Sequence, residues 1–136
     1  MKKLILFFVM TITLFANNNN IEWLNLNDAL AKAKGQNKLI VVYMYSPYCT
    51  YCKKMNNSAL KDEEVINTIN KYYYAVKIDG INDEYPKYLK TRVSPTIFFL
   101  NSNGDKVGRI IGYRDNLQLR FQLTRFRMEY LKNKGY

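Results

Sequence analysis

Histidine is absent from this 136-residue chain, and cysteine occurs only twice. Without an imidazole there is no Ser-His-Asp triad, no Cys-His protease pair and no His-ligated metal. Two thiols cannot fill a structural zinc site, which as a rule takes four nitrogen or sulfur ligands. Acid is also scarce: 11 Asp and Glu stand against 21 Lys and Arg, a formal charge of +10. Chemistry is left to thiols, carboxylates, lysines or tyrosines, and the composition implies no metal and no cofactor. The remaining composition, 48% hydrophobic and 15% aromatic, belongs to a chain that folds around a core. Its length suits one domain.

The first residues read as a targeting segment. Met1-Lys2-Lys3 is a basic start, Leu4 to Phe15 is an apolar run broken only by Thr11 and Thr13, and Ala16 precedes four consecutive Asn. That is the plan of a secretory signal peptide. The run is short of the roughly 20 residues that span a bilayer as a helix. Leu14 stands where a small residue is preferred, which weakens the cleavage site, and an uncleaved signal would hold the chain at the membrane. The alternative is a buried N-terminal helix. The expected division is a signal peptide over 1–16, an Asn-rich linker over 17–20 and one domain over 21–136. Removing Lys2 and Lys3 lowers the formal charge from +10 to +8. Export places both thiols in an oxidising or redox-managed compartment, the bacterial periplasm being the expected one, and takes nucleic acid off the list of partners.

Strands and helices then alternate. Ile21 to Leu24 is a short strand, and Asn27 is expected to cap a helix over Asp28 to Lys34 that Gly35 stops. Leu39 to Tyr45 (LIVVYMY) is continuous, β-branched and aromatic, as in a strand buried on both faces. Ser46-Pro47 breaks it, and a helix is expected from Cys49 to Leu60. Asp62 caps a further helix through Val65, Ile66 and Ile69, followed by a strand over Tyr73 to Ile78 and a short helix over Glu84 to Lys90. Thr96 to Leu100 and Lys106 to Ile111 form a hairpin through Asn103-Gly104. Leu119, Leu123, Phe126 and Tyr130 recur at helical spacing within Asp115 to Lys132.

Three other features take plain readings. Tyr72-Tyr73-Tyr74 is a helix-to-strand junction with two rings turned inward. Asp79, Asp83 and Glu84 lack a metal-ligand pattern and serve as loop and helix-start charges. Arg120, Arg125, Arg127 and Lys132 make a solvated basic face; the alternative is a surface that steers acidic or anionic-membrane partners.

Cys49-Thr50-Tyr51-Cys52 follows a buried strand and opens a helix. Unsatisfied N–H groups and the positive end of the dipole favour thiolate there. Cys49 is therefore the expected nucleophile, with Cys52, one turn on, placed to resolve a mixed disulfide. Lys53 and Lys54 add positive potential. The competing reading is a structural staple, but closing so short a loop stabilises by only about 2 kcal/mol. Covalent haem attachment requires His after the second Cys, where Lys53 stands.

The strand–CxxC–helix unit, with Val93-Ser94-Pro95-Thr96 leading into the strand Thr96 to Leu100, resembles the thioredoxin superfamily over residues 21–136. The resemblance implies an α/β fold with a central mixed sheet flanked by helices. It implies a cis-proline at Pro95 against the CxxC, with Ser94, Pro95 and Tyr48 contacting substrate; from the residues alone, an ordinary trans turn remains open. Ser46 to Met55 is most similar to exported thioredoxin-like proteins of the Dsb type, including electron-relay and isomerase domains.

Two departures matter. Tyr48 stands where Trp is common, and Thr50-Tyr51, which tunes redox poise, replaces Gly-Pro. Many relatives carry a buried acid six residues before the first Cys; here that position is Tyr43, and no substitute is evident. The expected function is thiol-disulfide exchange with protein substrates through Cys49 and Cys52, in the direction of a reductase or electron relay. The expected partners are protein thiols or disulfides and a membrane-bound or soluble thiol donor, and the expected state is a monomer. The rivals are an oxidase or isomerase, and a redox-inactive peptide-binding module.

Overall fold

The computed structural model describes residues 18–135. The segment read as a signal peptide, together with Asn17, lies outside the described residues. Five strands and four helices follow one another: β1 (Trp23–Leu24), α1 (Leu26–Ala33), β2 (Leu39–Tyr45), α2 (Thr50–Asn57), α3 (Glu63–Tyr72), β3 (Tyr73–Asp79), β4 (Thr96–Leu100), β5 (Lys106–Ile111) and α4 (Asn116–Asn133). Short 3-10 turns at Ala59–Lys61 and Lys87–Leu89 complete the chain. The sheet order is β1-β3-β2-β4-β5. Both β1 and β2 run parallel to β3, while β4 runs antiparallel to its neighbours β2 and β5. This is the mixed sheet flanked by helices that the sequence implied.

Central β2 alternates its side chains between two cores. Leu39, Val41 and Tyr43 face α2, α3 and α4, meeting Met55, Val65, Ile69, Leu119 and Leu123. Ile40, Val42 and Met44 face α1, meeting Ala29, Ala33 and Leu89. Burial on both faces explains why its sequence is apolar throughout rather than alternating. The α4 stripe Leu119, Leu123, Phe126 and Tyr130 lies inward as its spacing required.

Several boundaries differ from expectation, each for a local reason. The cap of α1 is Asn25, whose Oδ1 accepts from Asp28 N at 2.8 Å, so the helix begins before Asn27. That start brings Leu26 into the core beside Leu30. Helix α2 ends at Asn57, because the Ser58 hydroxyl donates to the Lys54 carbonyl at 2.7 Å and diverts the chain into the 3-10 turn. The helix expected over Glu84 to Lys90 contracts to Lys87–Leu89. Pro86, which supplies no N–H, precedes that turn. Glu84 is thus a loop residue, and Asp79 caps its own turn by accepting from the backbone N–H groups of Ile81 and Asn82. Of the three tyrosines, Tyr73 alone is fully buried, its hydroxyl donating to the Leu123 carbonyl, while Tyr72 and Tyr74 are half-buried on opposite cores. The β4–β5 connection does pass through Asn103-Gly104, but as a wider loop closed by Asn101 N to Asp105 O at 2.9 Å.

Asp62 caps α3 as expected, accepting from Val65 N at 3.0 Å and from Asn116 Nδ2 of α4 at 3.1 Å. Partial burial would raise its carboxyl, but those hydrogen bonds and the Arg120 charge outweigh it and hold the group below its ordinary value. A lowered folded-state value means the cap acts fully above about pH 4 and is lost as pH falls through that lowered value. Asp62→Ala is expected to lose about 1 kcal/mol at pH 7. In urea unfolding that difference should shrink at acid pH; a constant difference would contradict the charged cap.

Candidate active site

The CxxC pair lies where β2 hands over to α2. The chain leaves the sheet at Tyr45, turns through Ser46-Pro47-Tyr48, and enters α2 with Cys49 as the N-cap. Cys49 and Cys52 are paired as a disulfide, with Cα atoms 5.1 Å apart. Cys52 N donates to Cys49 Sγ at 3.1 Å, so the sulfur occupies the place a capping oxygen would take. An orphan N–H and the helix dipole both favour negative charge on that atom.

Exposure separates the two sulfurs. Cys49 is half-buried, whereas Cys52 is 1% exposed beneath the helix. Tyr48 beside Cys49 is 84% exposed, and Tyr51 between the cysteines 61%. Tyr51 tilts against Tyr113, with ring centroids 6.1 Å apart, and Lys54 Nζ lies 4.7 Å from the Tyr113 centroid. Thr50 is exposed in the first turn, as is Lys53. From the other side the Ser94–Pro95 segment closes in: the bond is cis, Pro95 is buried, and the Ser94 carbonyl oxygen lies 3.3 Å from Cys49 Sγ. Cys49 and Ser94, 45 residues apart, thus bring the CxxC pair and the Ser94-Pro95 segment together where β2 ends and β4 begins.

Beneath Cys52 stands Tyr43, the position of the missing acid. Its hydroxyl donates to the Cys52 carbonyl at 3.4 Å. Burial, and secondarily Tyr45, pushes that hydroxyl far above a phenol's ordinary range, so it stays neutral. Sequence reasoning missed Lys77. Its Nζ lies 4.8 Å from the Tyr45 ring centroid and 5.9 Å from that of Tyr43. The signal was available: Tyr73, Ala75 and Lys77 alternate onto one face of β3, the face that α2 covers.

Among the described residues no cluster of three or more His, Cys, Asp or Glu could hold a metal. The arrangement suits thiol chemistry: an accessible sulfur at a helix N-terminus, a second sulfur in bonding reach behind it, and a backbone carbonyl beside them.

Residues 26–126 match the family of thioredoxin-like domains. Among solved structures, a thioredoxin from Thermus thermophilus is 24% identical, with TM-score 0.67, covering 78% of this chain and 86% of its own. A candidate disulphide-isomerase from Bacteroides thetaiotaomicron is 26% identical, with TM-score 0.66, covering 79% of this chain and 93% of its own. The DsbH oxidoreductase is 18% identical, with TM-score 0.64, covering 83% and 85%. No curated protein matches the chain in sequence.

Proposed function

Because the chain belongs to the thioredoxin-like family through residues 26–126, we propose that it is an exported thiol-disulfide oxidoreductase working through Cys49 and Cys52. The observation that carries this reading is Cys49 Sγ as the cap of α2, taking the Cys52 N–H at 3.1 Å. A buried staple would have no use for a half-exposed sulfur at the positive end of a helix.

In the reductive direction the Cys49 thiolate attacks a client disulfide. A Cys49–client bond forms, and the client's second sulfur leaves as thiolate. The Cys52 thiolate then attacks Cys49 Sγ, the internal disulfide forms, and the first client sulfur leaves. Two electrons pass to the client, and an external dithiol restores the pair. Read backwards, the same steps oxidise a dithiol client. Tyr48, Ser94 and Pro95 hold an extended client segment over Cys49, and Thr50 and Tyr51 set the redox poise.

The direction proposed is that of a reductase or electron relay, on the likeness of Ser46 to Met55 to relay domains. The similarity to a candidate disulphide-isomerase keeps isomerase or oxidase as the second reading. Protein purified from the periplasmic fraction decides both parts. It should lack residues 1–16 by mass, and its cysteine pair should equilibrate with glutathione or dithiothreitol near thioredoxin's potential of about −270 mV. A potential near DsbA's, about −120 mV, would make it an oxidant. An intact chain confined to the cytosol would sink export.

A further inference from the structure

A surface helix ordinarily carries one apolar stripe, turned to the core. Helix α4 carries two. Leu119, Leu123, Phe126 and Tyr130 form the buried one. Leu117, Phe121, Thr124, Met128 and Leu131 follow a matching four-three-four-three spacing on the side turned away from the sheet. At about 100° per residue they fall within about 80° of arc, roughly opposite the buried stripe. Leu117 is 66% exposed, Phe121 65% and Met128 56%. Single exposed apolar residues are ordinary. A row of them in register along a helix of 18 residues makes a surface.

Cations border this row on both sides. Arg120 and Arg127 stand about 20–40° beyond one edge, and Arg125 and Lys132 as far beyond the other. The helix holds these four cations against one carboxylate, Glu129. Arg120 pairs with Glu64 at 3.0 Å and Arg125 with Glu129 at 3.4 Å, but both pairs are solvent-exposed and hold their partners weakly. Arg127 lies 3.8 Å from the Tyr72 ring centroid, and among the described residues Lys132 forms no ion pair. Charge selects among the occupants this face could take. A second copy of the chain would bring like rows of cations together. An acidic polypeptide would meet the cations and leave the apolar row in water. An anionic phospholipid surface meets both, with phosphates for the borders and acyl chains for the centre. Arginine and lysine stems reach up to headgroups from beside a row that sinks below them.

We infer that α4 is an interfacial helix that docks the protein on an anionic phospholipid surface. Leu117, Phe121 and Met128 enter the boundary between headgroups and acyl chains, and the bordering cations contact phosphates. The helix lies in the interface and does not span: among the described residues no helix is long and apolar enough to cross a membrane. Docking leaves the CxxC open. Tyr113, two residues before the α4 cap Asp115, packs on Tyr51 with ring centroids 6.1 Å apart. The CxxC therefore lies beside the N-terminal end of α4, off its outward face. Thiol exchange then takes place at the membrane surface. That consequence rests on the redox reading above; the docking itself does not.

Protein from the periplasmic fraction is mixed with vesicles of equimolar phosphatidylcholine and phosphatidylglycerol, and the bound share is read after flotation. It should bind these about tenfold or more tighter than vesicles of phosphatidylcholine alone, and the gap should close as salt screens the charges. Phe121→Gln should weaken binding to the mixed vesicles about tenfold, and Arg120→Gln combined with Lys132→Gln about tenfold as well. The natural chain has one tryptophan, Trp23. In Phe121→Trp the added emission should be quenched by lipids brominated along the acyl chain. The Cys49→Ser protein, inert in exchange, should bind as the wild type does, which separates docking from the redox reading. Binding lost with Cys49→Ser would place the contact at the CxxC and overturn the inference. Equal binding to neutral and mixed vesicles, or none to either, overturns it whatever the variants do. So does binding that survives both sets of α4 substitutions, as it would if Leu4 to Phe15 were retained and carried it, and so does unquenched emission at residue 121. A chain that ignores the vesicles but is retained on polyglutamate has an acidic polypeptide as partner. One that Phe121→Gln converts from dimer to monomer has a second copy there; either result displaces the membrane.

Discussion

Cys49→Ser is expected to lose disulfide exchange by roughly three orders of magnitude or more, since the remaining thiol, Cys52, is 1% exposed and cannot reach a client sulfur. Cys52→Ser should fail differently. Its Cys49 keeps the half-exposed position at the α2 N-terminus, so the first attack proceeds. The hydroxyl at residue 52 cannot displace the client, and a near-stoichiometric mixed disulfide should accumulate on Cys49. Insulin reduction gives the turnover, and a non-reducing gel with peptide mass mapping locates the adduct. The asymmetry follows from burial: Cys52 at 1% exposure cannot meet a folded client before Cys49 does. Adduct on Cys52 in the Cys49→Ser protein, with none on Cys49 in its counterpart, would reverse the roles. Undiminished turnover in both would return the pair to a structural staple. Stability should fall by no more than about 2 kcal/mol in either variant, the contribution of closing a four-residue loop.

Where one local signal dominated, the fold was legible. The apolar run Leu39 to Tyr45 and the hairpin strands Thr96 to Leu100 and Lys106 to Ile111 have the same bounds in the structure as in the sequence reading. Where two local signals compete, tertiary packing decides the boundary. Asn25 and Asn27 are both capable caps, and the helix that starts from Asn25 packs half-buried Leu26 against the core. The α2 terminus turned on a hydroxyl that could equally have pointed to water. At the site, the motif placed Cys49 and Cys52, and the family likeness brought Ser94 and Pro95 to them. Lys77 escaped because its meaning is relational. A lysine in a strand is ordinarily an outward residue, and only the register Tyr43↔Lys77 sets it under α2. Tyr43 stands where the family's acid is absent, and its hydroxyl contact with the Cys52 carbonyl depends on where the helix lies.

Gly108→Ala is expected to destabilise the fold by about 2–3 kcal/mol, the range of an overpacked core, although two general effects oppose that outcome. Removing a glycine lowers the entropy of the unfolded chain by an amount worth about 0.4–1 kcal/mol, and alanine is no worse than glycine in a strand interior. Packing decides against both. Gly108 pairs with Phe99 across β4 and β5, and Phe126 of α4 stacks on Phe99 with centroids 4.0 Å apart and planes 22° apart. The bare backbone of Gly108 is the floor under that ring. A Cβ there would stand 2.0 Å from one Phe126 ring carbon and 2.7 Å from the next, far inside contact distance. The ring cannot swing aside freely, since Phe99 holds one face and Arg125 lies 4.4 Å from its centroid. Relief comes only by lifting α4 from the sheet, which unpacks Leu123 and Tyr130 along the same helix face. Urea unfolding measures the loss. Pairing Gly108→Ala with Phe126→Leu tests its cause, because a smaller, flexible side chain makes room for the methyl. The double variant should be more stable than the two single losses added together, by about 1 kcal/mol or more of coupling. Simple additivity, or a Gly108→Ala chain as stable as the wild type, would show that α4 does not rest on β5 in this way.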